Sequence, residues 1–178
     1  MSNLYLIGYR GCGKTTVARL LDELLRWTAI DADEHLEQAA GKTIREIFAA
    51  EGEAGFRDRE SDTVRELSQR TDLIVSWGGG VILREANRAA LRAAGKIVWL
   101  KARPETLLQR IEQDPTTGER RPNLTAAGGI DEVRHLLTIR EPLYTATADT
   151  IVEVDDISPP KIAAVIADWF QSQEGDRS

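Results

Sequence analysis

Short apolar runs alternate along this chain with longer stretches whose apolar residues recur every three to four positions. The first run, Leu4-Tyr5-Leu6-Ile7, reads as a buried strand. Val17, Leu20, Leu21, Leu24 and Leu25 then mark one face of a helix. Trp27 to Ile30 predicts a second short strand, ending at Asp31-Ala32-Asp33. A helix over 34–40 stops at Gly41. Thr43 starts another, with Ile44, Ile47 and Phe48 on one face and Glu46 at capping-box spacing. Gly52 to Arg57 leads into a charged helix that reaches Gln69. Its apolar positions, Val64 and Leu67, are sparse, which predicts a mostly solvated element.

Leu73 to Trp77 is a third strand, closed by Gly78-Gly79-Gly80. Three successive glycines demand either a close backbone approach or unusual dihedrals. A helix over 84–94 ends at Gly95, and Ile97 to Leu100 forms the next strand. Pro104 suits the first turn of a helix carrying Leu107, Leu108 and Ile111. Residues 114–129 break the periodicity, as a functional loop or a solvated one does. A helix from about Ile130 carries Val133, Leu136, Leu137 and Arg140, and Pro142 kinks or restarts it. Thr150 to Val154 is the last strand. Ser158 caps a final helix with an apolar core-facing stripe of Ile162, Val165, Ile166, Trp169 and Phe170.

Alternation of about five strands with helices predicts an α/β fold, a parallel sheet with helices on both faces. The 178 residues suit one domain. Ligands of such sheets gather outside the C-terminal strand ends. The segment after the first strand, Gly8-Tyr9-Arg10-Gly11-Cys12-Gly13-Lys14-Thr15-Thr16, sits at a strand-to-helix turn, where a phosphate-binding loop belongs. Its glycines let the backbone aim N–H groups inward, and the helix adds its positive dipole end. Lys14 reaches the outer phosphates and Thr15 offers its hydroxyl to magnesium. The first strand is therefore expected at the centre of the sheet.

Two aspartates follow the second strand. If Asp31 and Asp33 are both extended, they point to one side. Phosphoryl transfer uses one carboxylate near magnesium and another to orient the attacking hydroxyl. The competing reading makes Asp33 a helix cap and Asp31 a solvated group. Arg57, Arg121 and Arg140 stand out by context: after a Gly-rich turn, in the aperiodic loop, and just before Glu141-Pro142. Guanidinium forks suit an anionic acceptor. By contrast, Arg45, Arg59, Arg65, Arg84, Arg88 and Arg92 lie in ordinary helical surface patterns. No Asn-Lys-x-Asp string occurs, which argues against a GTPase switch. The strand at Leu73 ends in Ser-Trp-Gly rather than Asp, which argues against a motor ATPase and leaves Asp31 as the metal-side carboxylate.

Composition narrows the partners. The net charge of −6 argues against a general nucleic-acid binder, so an anion site must be a local cluster. The one cysteine, Cys12, permits no intramolecular disulfide and suits a reducing cytoplasm. It reads as a small filler of the loop. No signal peptide and no membrane span are visible, and the polar tail from Gln171 is expected to fray.

Together these residues resemble the shikimate kinase family, of the nucleoside-monophosphate-kinase-like P-loop group. The likeness runs from Leu4 to about Trp169. It rests on Gly8-x-x-Gly11-x-Gly13-Lys14-Thr15-Thr16, Asp31-Ala32-Asp33, Gly52-Glu53 with Phe56-Arg57, Gly78-Gly79-Gly80, Arg121-Pro122-Asn123-Leu124 and Arg140-x-Pro142-Leu143-Tyr144. The resemblance implies a three-layer α/β/α P-loop kinase fold with strand order 2-3-1-4-5 and a mobile lid. It implies one kinase domain over 1–172, an acceptor-binding region at about 33–60, a lid at about 114–125 and a flexible tail at 173–178. The implied reaction is ATP-dependent phosphorylation of the 3-hydroxyl of shikimate, by a cytoplasmic monomer without nucleic-acid or membrane partners.

The resemblance also implies roles. Gly11, Cys12, Gly13, Lys14, Thr15 and Thr16 hold the ATP phosphates, and Arg110 and Pro159 flank adenine. Thr15 ligates Mg²⁺, supported by Asp31. Asp33 hydrogen-bonds the acceptor hydroxyl and is the candidate base. Arg57 and Arg140 grip the acceptor carboxylate, with backbone contacts from Gly79 and Gly80. Arg121 on the lid reaches the phosphate and, with Lys14 and Asp33, completes the catalytic set. Two departures stand out. Many members carry an arginine after the last strand, where this chain has Asp155-Asp156-Ile157-Ser158-Pro159-Pro160. The lid segment from Asp114 to Arg120 is somewhat longer and more acidic than is usual, and Arg120 is placed to share the role of Arg121. The alternatives are a related kinase of another carboxylate-bearing acceptor, such as gluconate, and a nucleotide-binding regulator without turnover.

Overall fold

A computed structural model describes residues 2–114 and 128–175. The lid motif, with Arg120 and Arg121, lies outside the described residues. Five parallel strands form one sheet: β1 (Asn3–Ile7), β2 (Thr28–Asp31), β3 (Leu73–Ser76), β4 (Gly95–Lys101) and β5 (Thr150–Glu153), in the order β2-β3-β1-β4-β5. β1 is central, with Leu4 beside Ile74 of β3 and Lys96 of β4. This is the order that the resemblance implies.

The strands read as continuous apolar runs because helices cover both faces. Side-chain alternation sorts them into two cores. Leu4, Leu6, Ile74, Val98 and Leu100 face one cluster, and Tyr5, Ile7, Val75, Ile97 and Trp99 face the other. The first side is covered by α1 (Lys14–Leu25), α5 (Pro104–Gln113), α6 (Gly129–Thr147) and α7 (Pro159–Gly175). The second is covered by α3 (Ile44–Leu67) and α4 (Glu85–Ala94), with a 3₁₀ turn at Val81–Leu83. A third cluster of Leu36, Ile44, Ile47 and Phe56 joins α2 (Ala32–Ala40) to α3. The last helix runs through Gly175.

Three local expectations are corrected. Asp31, not Asp33, caps α2: its Oδ1 accepts from the amides of Asp33 at 3.0 Å and Glu34 at 3.3 Å. Asp33 is thus in the first helical turn, and the two aspartates do not share a strand side. The charged helix is not mostly solvated. Phe56, Glu60, Thr63, Val64 and Leu67 follow helical spacing and are all buried, with Arg57 beside them. Polar residues hid that face from a reading based on apolar periodicity. Gly52 breaks α3 at φ 69°, ψ −175°, which tilts this second half onto the core. The capping box at Thr43 and Glu46 stands as read, with the Thr43 amide donating to Glu46 Oε2 at 2.8 Å.

Candidate active site

The site lies above the C-terminal ends of β1, β2 and β3. Gly8 follows β1 because any Cβ there would fall 2.6 Å from the Leu100 carbonyl oxygen. Gly13 holds φ at +92° directly before α1, a left-handed turn that favours glycine. The amides of the next turn therefore face open space at a helix N-terminus, as phosphate binding requires. Lys14 curls over this loop, with Nζ donating to the carbonyls of Gly8 at 2.9 Å and Tyr9 at 3.0 Å.

A cleft of about 450 Å³ opens beside the loop. The structure brings Gly11, Gly13, Lys14, Thr15, Thr16, Asp31, Asp33, Gly79 and Arg110 to its walls, all of them singled out in the sequence. Cys12 is buried behind the loop, with Sγ 3.5 Å from Lys14 Nζ. Pro159 is exposed at the start of α7 and is not among the residues lining the cleft. Arg110 is placed at the outer edge. It donates to Val154 O at 3.1 Å and reaches Gly11 O at 3.5 Å, tying the phosphate loop to the end of β5.

Thr15 Oγ1 donates to Asp31 Oδ2 at 2.7 Å. Ser76, at the end of β3, brings its hydroxyl within 3.3 Å of the same carboxylate oxygen and 3.4 Å of Thr15 Oγ1. This all-oxygen set fits magnesium, which takes few protein ligands and leaves positions for phosphates and water. Among the described residues no group of three or more His, Cys, Asp or Glu side chains is arranged for a metal. Sequence reading missed Ser76, whose only signal is a hydroxyl at a strand end.

The two arginines stand directly behind the triple glycine. A Cβ on Gly80 would meet Arg57 Nη1 at 2.3 Å, and one on Gly79 would meet Arg140 Nη1 at 3.3 Å. Close approach therefore explains these glycines, and neither has a positive φ. Arg57 is buried and donates to Glu60 at 3.1 Å and to Glu53 at 3.3 Å, while its Nε lacks a partner among the described residues. Arg140 is also buried, and its guanidinium lies 5.6 Å from the centroid of the Tyr9 ring. Among the described residues no carboxylate is paired with it. A buried guanidinium without a counter-charge is costly unless an anion arrives.

Two supporting residues were given no such role by the sequence, although Tyr144 closes one of the family motifs. Tyr144 stacks on Trp99 and donates to Gly79 O at 2.6 Å, fixing the glycine turn from below. Full burial drives its phenol pKa far above the ordinary value. Arg84, read as a surface charge, donates instead to Arg57 O at 3.0 Å and Ser61 Oγ at 3.1 Å and pairs with Asp58. The 3₁₀ turn after the glycines carries it across α3, a tertiary contact that helical periodicity does not encode.

Comparison with known proteins places this geometry. The sequence model of the shikimate kinase family matches residues 10–171. The shikimate kinase of Rhodopirellula baltica is 49% identical over 151 residues, spanning 85% of this chain and 81% of that protein. The shikimate kinase of Pseudomonas entomophila is 40% identical over 171 residues, 96% of this chain and 97% of that protein. The solved structure of shikimate kinase from Acinetobacter baumannii in complex with shikimate superposes with a TM-score of 0.90 at 38% identity, covering 97% of this chain and 94% of that one. A loop-and-carboxylate donor site, two buried arginines behind a glycine turn and sequence likeness along nearly the whole length agree: the chain belongs to the shikimate kinase family.

Proposed function

We propose that this chain transfers the terminal phosphoryl group of ATP to the 3-hydroxyl of shikimate. The observation that carries this reading is the buried Arg140, which has no carboxylate partner among the described residues, with Arg57 packed at the next glycine of the same turn. It calls for an acceptor with a carboxylate, held so that its far side meets Asp33.

The loop amides around Gly11, Gly13 and Thr16 would bind the phosphates, and Arg110 the nucleotide's outer end. Lys14 exchanges two loop carbonyls for phosphate oxygens when ATP enters. Thr15 and Asp31 would hold magnesium, which supplies charge neutralisation across the phosphate oxygens. The acceptor carboxylate would bridge Arg140 and Arg57, displacing the Glu53 side chain, which is 61% exposed and free to swing out. Glu60 stays behind to orient the fork. Backbone contacts from Gly79 and Gly80 would flank the ring.

Asp33 accepts the proton of the attacking hydroxyl. A new bond forms between that oxygen and the γ-phosphorus, the bond to the bridging oxygen breaks, and ADP leaves with the electron pair. Within this reading Arg121 closes the phosphate from outside the described residues. The same reading has the protein working as a cytoplasmic monomer, a setting that its single cysteine and net charge of −6 suit.

A coupled ADP-release assay with shikimate, quinate and gluconate tests the proposal. Turnover with shikimate should exceed that with either other acid by at least about a hundredfold, since the buried arginine pair rewards the matching acid and leaves polar groups unpaired with a wrong one. Equal or greater turnover with gluconate would favour the related-kinase alternative. No turnover with any acceptor, alongside intact ATP binding, would favour a regulator.

A further inference from the structure

Within the phosphate loop one charged residue has no role in the account so far. Arg10 lies between Gly8 and Gly11 and lines the same cleft as Lys14, Asp33 and Gly79. Its Nη2 donates to Glu132 Oε1 of α6 at 3.1 Å, and that carboxylate is only 1% exposed. The arginine is itself 83% buried by side chain, since 17% remains exposed, and its Nε is buried without a hydrogen-bond partner among the described residues. A solvent-exposed arm would lose much of its order to rotamer freedom. This guanidinium is anchored through Nη2 at a buried carboxylate, which holds it at the cleft.

We infer that Arg10 is a further catalytic residue, whose guanidinium contacts the phosphoryl group in transit between ATP and the acceptor oxygen, and that Glu132 is its positioning residue. The inference rests on the kinase reading above. During transfer, negative charge spreads over the equatorial oxygens of the phosphoryl group. A fixed cation aimed at that point, inside a partly water-excluded cleft, stabilises the transition state more than either ground state. Arg10 and Lys14 come from the same loop and line the same cleft. A planar fork suits two phosphoryl oxygens, and a buried partner spares the cost of ordering it at each turnover. The bland alternative is a structural pin from the loop to α6.

The two are separated by kinetics and by binding of a phosphoryl mimic. On the full chain, Arg10→Met should lower kcat by about a hundredfold or more, with the KM for ATP and shikimate changed less than about threefold. The affinity of the complex with ADP, aluminium fluoride and shikimate should fall in parallel, while that for ADP alone holds. Arg10→Lys should restore part of kcat. Glu132→Gln should lose less than Arg10→Met. If Arg10→Met fails to fold because Glu132 loses its Arg10 contact, the Arg10→Met/Glu132→Gln double variant removes both charges and should show the same kcat deficit. Unchanged kcat overturns the inference, as does a kcat loss with undiminished affinity for the fluoride complex, or equal losses in Arg10→Met and Glu132→Gln. A wild-type chain that phosphorylates no shikimate instead overturns the reading beneath it.

Discussion

Thr15 Oγ1 and Asp31 Oδ2 are joined by a 2.7 Å hydrogen bond that crosses from the start of α1 to the end of β2. The other carboxylate oxygen of Asp31 caps α2 through two backbone amides. One side chain therefore joins Thr15 of the phosphate loop to the helix that carries Asp33.

The two jobs separate under mutation. Asp31→Asn keeps a good cap but loses the negative charge, so stability should change by less than ~0.5 kcal/mol, since Asn and Asp cap equally well. Its kcat/KM for MgATP should nevertheless fall at least about tenfold as support for the metal weakens. Asp31→Ala should add a stability loss of about 1 kcal/mol. Denaturant unfolding beside a magnesium titration of activity reads both. An Asn variant with wild-type magnesium dependence would remove Asp31 from the metal site.

Asp33 stands in the first turn of α2 and lines the cleft. Asp33→Asn is nearly isosteric and cannot take a proton, so kcat should fall by roughly 10²–10⁴ with ATP binding nearly unchanged. Steady-state kinetics with isothermal titration of ATP checks this. Retained turnover would take Asp33 out of proton transfer.

Gly80→Ala is predicted to act on the acceptor alone. The new methyl would stand 2.3 Å from Arg57 Nη1, while the backbone at φ −99°, ψ −3° tolerates alanine. The guanidinium must move away from Glu60 and from the acceptor carboxylate. The KM for shikimate should rise about tenfold or more, as expected for loss of a charge-assisted bidentate contact, with the KM for ATP unchanged. A shikimate KM within twofold of wild type would show that Arg57 does not hold the acceptor.

The three tyrosines Tyr5, Tyr9 and Tyr144 all have phenol pKa values raised chiefly by burial. A folded pKa above the unfolded value contributes stability that is fully present below the unfolded pKa of ~10 and is lost as pH rises through the folded values. Stability should therefore decline above about pH 10. Phenolate absorbance should appear together with loss of tertiary circular dichroism. A phenolate signal near pH 10 in the still-folded protein would contradict the burial argument.

The donor half of the site was legible in the sequence because it is local. A strand, three glycines, Lys14 and Thr15 lie within a few residues, and their spacing alone sets the turn and the aimed amides. Asp31 and Asp33 were legible as a pair but not in their division of labour. Which of the two caps the helix depends on where α2 begins, and a two-residue difference there exchanges strand geometry for helix geometry.

The acceptor half was legible only as residue types. Arg57, Arg140 and Gly78 to Gly80 stand out in the sequence, yet nothing local says that Gly80 exists to make room for Arg57, or that Tyr144 holds Gly79 by its carbonyl. Arg84 looked like a surface charge, and Arg10 gave only the signal of a charge inside a phosphate loop. The buried face of α3 was hidden because Arg57, Glu60 and Thr63 are polar and gain burial through partners elsewhere in the chain.

What the sequence by itself determined is the order of strands and helices, the phosphate loop, the family likeness and the residue types of the site. Those follow from periodicity, caps and glycine positions, which act over a few residues. What only the tertiary structure decided is which buried charges have partners among the described residues. Burial and pairing depend on distances between segments far apart in the chain. Arg57 with Glu60, Arg10 with Glu132 and Arg140 over the Tyr9 ring differ in the neighbours that folding brings them.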